Sequence, residues 1–164
     1  MSRRYFKKMI VLFWLLWWIT AFLTDFIGGL NTIGITNIKW FAGENYPFLV
    51  QNLTPLGIPT PFIVISFVGI IVWLFLSMVL FAWAAFTPME PRQPWLKRVD
   101  AAFMVSLGLW AAFFLADQTI MNFPLEENHM VQGGFQLLCY LAIYLLPDEP
   151  SHRASGSASG SNDE

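Results

Sequence analysis

Met9-Ile-Val-Leu-Phe-Trp-Leu-Leu-Trp-Trp-Ile-Thr-Ala-Phe-Leu-Thr-Asp-Phe-Ile-Gly-Gly29 runs for 21 residues with a single charge, Asp25. At a rise of ~1.5 Å per residue, such a helix covers the ~30 Å hydrocarbon core of a bilayer. The basic start before it, Arg3, Arg4, Lys7 and Lys8, resembles the n-region of a signal peptide. A signal h-region, however, is shorter, about 7–15 residues, and ends in a small-x-small cleavage site. This stretch is longer, aromatic, and closes on Gly28-Gly29, so it reads as an uncleaved anchor behind a basic segment of residues 1–8.

Three more apolar blocks follow. One spans 61–86, with Ser66 and Ser77 as its only hydroxyls, and stops before Pro88, Pro91 and Pro94. The next spans 100–121, with Asp100 placed where an N-cap or first-turn acid belongs. Pro124 breaks the chain, and the last block spans 129–146, closed by Pro147. The predicted fold is therefore all-α: a polytopic four-helix transmembrane bundle over residues 9–147. The Ser/Gly-rich residues 148–164 read as a disordered tail. Composition agrees, because 12% charged residues is half of what a soluble domain carries.

The same charges set an orientation and remove several function classes. Arg3, Arg4, Lys7, Lys8, Arg92, Lys97, Arg98 and Arg153 fall on one side of the four spans and Lys39 alone on the other. The positive-inside rule then puts both termini in the cytoplasm. A net charge of −2 without a basic stripe gives nucleic acid no footprint. The one cysteine, Cys139, leaves no disulfide framework or cysteine metal site within a chain and reads as a small packing residue.

The outer loop, residues 30–60, is longer than a bundle turn requires. Trp40, Phe41, Tyr46 and Phe48 there, and Trp95 at the opposite end, read as aromatic anchors at headgroup level. Asn45 is placed to cap a short helix over 47–52, lying on the membrane or roofing the bundle. The sequon Asn52-Leu53-Thr54 is followed by Pro55 and carries no weight.

Spans one and three contain an internal echo. Trp18-Ile-Thr-Ala-Phe22-Leu23-Thr-Asp25 overlays Trp110-Ala-Ala-Phe-Phe114-Leu115-Ala-Asp117. In each, Trp stands seven residues and Phe three residues before Asp, on one helical face. Two hairpins repeated in parallel are one explanation and chance in an aromatic-rich chain is the other.

Polar residues within spans mark the candidate site. Asp25 and Asp117 sit about one turn inside the outer ends of their spans, where a carboxylate favours a protein-lined or wet environment. His129, Gln132 and Gln136 fall at i, i+3 and i+7 beside Gly133-Gly134, which allow close helix approach. With Gln118, these residues outline a polar chamber in the outer leaflet, or else interhelical hydrogen bonding. A histidine beside a carboxylate can exchange protons. Two carboxylates and an imidazole, with Glu126 and Glu127 near, match no recognised metal spacing, so no metal is assigned. Haem would need a second buried histidine, and His152 lies in the tail. Ser66, Ser77 and Ser106 lack a G-x-S-x-G setting, and no cofactor is called for.

The stretches Trp14 to Asp25, Val99 to Phe103 and Leu109 to Asp117 resemble a group of small, uncharacterised bacterial integral membrane proteins with four spans. The resemblance implies four helices in a bacterial inner membrane and no particular activity. The expected function is a non-catalytic accessory, assembly or scaffold subunit whose partners are lipid and other membrane proteins or further copies of itself. The competing expectation is a small proton-coupled transporter or ligand-binding protein built on the Asp/His/Gln cluster.

Overall fold

The computed structural model describes residues 3–147; the expected tail, with His152 and Arg153, lies outside the described residues, as do residues 1–2. Everything regular among the described residues is helical. In chain order these are α1 (Arg3–Thr32), α2 (Asn45–Leu53), a 3₁₀ turn (Thr54–Leu56), α3 (Thr60–Phe86), α4 (Arg92–Thr119) and α5 (Phe123–Leu145). Three of them, α1, α3 and α4, are long and apolar enough to cross a membrane.

Helix boundaries follow local chemistry. Gly28-Gly29 does not end α1; the helix runs on to Thr32 and stops in a Schellman turn. Gly34 adopts φ +76° there, with Ile35 N–H donating to Leu30 O and Gly34 N–H to Asn31 O, both 3.0 Å. Gly28 serves a close approach instead, since a Cβ on it would lie 2.2 Å from the carbonyl oxygen of Gly43. Proline within the first turn starts both α3 (Pro61) and α5 (Pro124), where a missing N–H costs nothing. Pro124 therefore opens a helix rather than merely interrupting the chain. Asn122 caps α5, its side chain accepting from Leu125 N–H at 3.4 Å.

Two boundary expectations are corrected. α4 begins at Arg92, so Asp100 is two turns inside it and caps nothing. Its carboxylate accepts hydrogen bonds from Tyr140 (3.1 Å) and Tyr144 across on α5. The short outer helix exists, but its N-cap is Glu44 without a side-chain bond, and the Asn45 amide donates to Asp25 instead.

The long helices pack in the order α1, α3, α4, α5, and α5 returns to touch α1 through Phe13 and Trp14 against Phe135. Trp18 of α1 and Trp110 of α4 meet across the interior with ring centroids 5.5 Å apart. Trp14, Trp18, Phe81, Trp95, Phe103 and Leu109 form the centre of the core, and Ala84, Ala85 and Ala102 let backbones approach. Only 22% of the most apolar stretch of α3 is buried, and its exposed face carries Phe62, Ile65, Val68, Val72 and Phe75. Such a continuous apolar exterior suits lipid and not water.

The starts of α1 and α4 and the connector between α3 and α4 share one end. There Arg4 pairs with Glu90, Lys8 Nζ donates to Thr87 O at 3.1 Å, and Arg98 donates to Thr87 Oγ1 while stacking 4.6 Å over Trp83. The outer loop and α2 sit at the other end, over α1 and α3, with Tyr46 against Phe67 at 5.4 Å.

Candidate functional site

Helical geometry puts residues three or four apart on one face. On α4 that face carries Asp100, Phe103, Ser106, Trp110, Phe113 and Asp117; on α5 it carries His129, Gly133, Gln136, Tyr140 and Tyr144. The two faces close on each other antiparallel, so the pairs run in order along the seam. His129 Nδ1 lies 2.5 Å from Asp117 Oδ2, and its ring stacks on Phe113 at 4.8 Å and leans on Trp110 at 5.8 Å. Gly133 follows, where a Cβ would come within 3.0 Å of Trp110 Cβ, so glycine lets this pair of helices close. Gly134 meets nothing within 4 Å and contributes no such contact.

Gln136, with no exposed surface, is the middle of the seam. Its Oε1 accepts from Trp110 Nε1 at 2.7 Å and its Nε2 donates to Ser106 Oγ at 2.9 Å. The Ser106 hydroxyl in turn donates back to Ala102 O at 2.8 Å. At the far end Phe103 packs on Tyr140 at 5.1 Å, and Asp100 takes both tyrosine hydroxyls.

The single chamber expected from the sequence is not assembled. Gln132 falls to the side of the α5 stripe, half-buried, and donates to Asn128 at 2.9 Å. Gln118 is exposed beside the Glu126 carboxylate. Asp25 is 6% exposed but belongs to the outer loop's attachment. There the Asn45 amide donates to it, and Gly43 N–H donates to Thr24 O at 3.1 Å one residue away. The echo thus places both acids in buried positions and brings their tryptophans together. Their partners differ, however: a loop amide for Asp25, an α5 imidazole for Asp117. Among the described residues no group of three His, Cys, Asp or Glu side chains is gathered to hold a metal ion.

The anchor residues also divide. Trp40 and Phe41 are exposed, Phe41 at φ +59°, and Tyr46 is partly buried against α3. Trp95 is corrected outright: at 1% exposure it is a core residue, because α4 starts before it and turns it inward. Sequence reasoning also missed the roles of Ser106, Tyr140, Tyr144 and Asn45. The spacing 106, 110, 113 and 117 on α4 was a signal for the first of these.

No family model matches the chain, and neither a curated protein nor a solved structure is similar to it. A polar seam whose members bond each other holds two helices in one register; it offers few spare donors or acceptors to a passing solute.

Proposed function

We propose that this chain is a non-catalytic integral membrane protein with four spans and both termini cytoplasmic. It would act as an accessory, assembly or scaffold subunit that packs against membrane partners. The observation that carries the reading is the closed α4–α5 seam: Gln136, Trp110, Ser106, Asp117 and His129 are spent on one another. What remains open is the apolar outer face of α1 and α3, a surface for lipid or another span.

The fourth span is α5, at 23 residues about 34 Å long. It lacks an uninterrupted apolar stretch like those of α1, α3 and α4 because it contributes His129, Gln132 and Gln136. Seam pairing of His129 and Gln136 makes their depth tolerable. The orientation rests on Arg3, Arg4, Lys7, Lys8, Arg92, Lys97 and Arg98 at one end against Lys39 at the other. The bacterial inner membrane follows from the resemblance of the Trp-to-Asp stretches.

Mild-detergent extraction from native membranes, followed by mass spectrometry, tests the role. Stoichiometric membrane-protein partners are expected, and a lone homogeneous monomer would count decisively against it. The Asp117–His129 pair favours the proton-coupled alternative, which Asp117→Asn separates. Loss of folded protein supports the structural role, whereas a folded protein that has lost proton flux in proteoliposomes supports transport.

A further inference from the structure

The outer loop does not rise clear of the bundle. Asn31, in the last turn of α1, holds residues 36–38 beside it. Its Oδ1 accepts from Thr36 Oγ1 at 2.6 Å and from Ile38 N–H at 3.2 Å, and its Nδ2 donates to Ile38 O at 2.7 Å. Five residues on, Gly43 N–H donates to Thr24 O at 3.1 Å, and the Gly43 carbonyl fills the space that a side chain on Gly28 would need. Asn31 and Thr24 are seven helical residues apart, so between Ile38 and Gly43 the chain descends about 10 Å beside α1. Asn45 then reaches Asp25, and Tyr46 meets Phe67, which lies seven residues inside α3 and so about 10 Å below the outer end of that helix. Two helices thus give the same depth independently. The stretch from Met9 must reach Gly29 to cover the ~30 Å core, which puts Thr24 and Gly43 about 7 Å inside it.

The outward side of the descent is apolar. Trp40 is 73% exposed and Phe41 is exposed beside it, their rings 5.3 Å apart. Phe41 also holds a left-handed φ of +59°, which a side chain disfavours and which surrounding structure must maintain. Lys39, directly before the pair, follows Ile38 at the level of Asn31, where a lysine can stay among headgroups while the rings go beneath. We propose that residues 39–46 are a re-entrant finger in the leaflet at this end of the bundle. Its partner is lipid, and the Trp40–Phe41 pair occupies the boundary between headgroups and acyl chains. Lipid fits better than a protein partner because the neighbouring helix surfaces over the same depths, Phe26 on α1 and Phe62 and Ile65 on α3, belong to the exposed apolar exterior. Non-helical backbone at such depth needs protein against it, which the Gly28–Gly43 contact and the Thr24 bond supply. The inference rests on the membrane reading above and goes beyond it in placing the loop within the leaflet.

The test uses the full chain in a Cys139→Ser background, one copy per phosphatidylcholine nanodisc, with a nitroxide on single cysteines at Thr36→Cys, Phe41→Cys and Val72→Cys. Electron paramagnetic resonance compares collisions with oxygen, which concentrates in lipid, and with a water-soluble nickel chelate. Position 72, on the exposed face of α3, should favour oxygen and position 36 nickel. Position 41 should favour oxygen, with a ratio well above that at 36; should Phe41→Cys misfold, Ala42→Cys takes its place. A ratio at 41 equal to that at 36 puts the loop in water and overturns the finger. Shielding of 41 from both reagents puts protein over it and overturns lipid as the partner. Nickel access at 72 overturns the membrane reading and the finger with it. Adding Gly28→Ala, which removes the seat of Gly43, should move 41 toward the value at 36, with Asn45→Ala as the replacement if that variant misfolds. No movement in the folded variant overturns the attachment that holds the finger down.

Discussion

Replacing Gln136 by leucine keeps nearly the same volume and removes both hydrogen bonds at the centre of the α4–α5 seam. Interhelical hydrogen bonds in membranes average about 0.6 kcal/mol, so the pair contributes about 1.2 kcal/mol. Trp110 Nε1 then stays buried without an acceptor, adding about 1 kcal/mol. The Ser106 hydroxyl retains Ala102 O at 2.8 Å and loses little. The expected total is about 2 kcal/mol, a roughly thirtyfold fall in the folded-to-unfolded ratio. Leucine does not recover this, because helix association within lipid gains nothing from burying apolar surface. Reversible unfolding of the full chain in lipid–detergent micelles, titrated with SDS and followed by far-UV circular dichroism, measures it. Trp110→Phe and the double variant complete a cycle with an expected coupling of about 0.6–1.7 kcal/mol. A Gln136→Leu protein as stable as wild type, or a coupling of zero, would refute the view that the seam is structural.

Gly28→Ala should lift the outer loop, since its Cβ would meet Gly43 O at 2.2 Å. A destabilisation of about 1–3 kcal/mol and faster proteolysis near residues 39–44 are expected, with unchanged cleavage speaking against the contact. Tyr144→Phe and Tyr140→Phe should each cost about 1 kcal/mol in the same SDS titration, because Asp100 loses one donor in each case. If the proposed orientation holds, in a Cys139→Ser background Thr36→Cys should react with an impermeant thiol reagent only from the non-cytoplasmic side and Gln93→Cys only from the cytoplasmic side. The reverse pattern would invert the topology.

The all-helical architecture was legible because apolar blocks of 18 to 26 residues with at most two charges each leave a chain few alternatives in lipid. Helix ends were less so. Gly28-Gly29 looks like a terminator until Gly43 is seen packed on it, and Asp100 looks like a cap until α4 is seen to start at Arg92. The candidate site was legible as a set of residue types and illegible as a set of pairs. Periodicity placed His129 and Gln136 on one face of α5 but also admitted Gln132, and of the two glycines expected to allow close helix approach only Gly133 meets a neighbour, Trp110.

By itself, then, the sequence determined the helical fold, the apolar exterior and the separation of every basic residue but Lys39 from the outer loop. Each depends only on how neighbouring residues along the chain meet lipid or water. Which polar groups neutralise which was decided by tertiary structure alone. The antiparallel register of α4 against α5 assigns Asp117 to His129, Gln136 to Trp110 and Ser106, and Asp100 to the tyrosines. The loop's descent onto α1 assigns Asp25 to Asn45. Hydrogen bonds are short and directional, so partners far apart in the chain are fixed only when close packing brings their helices to one register.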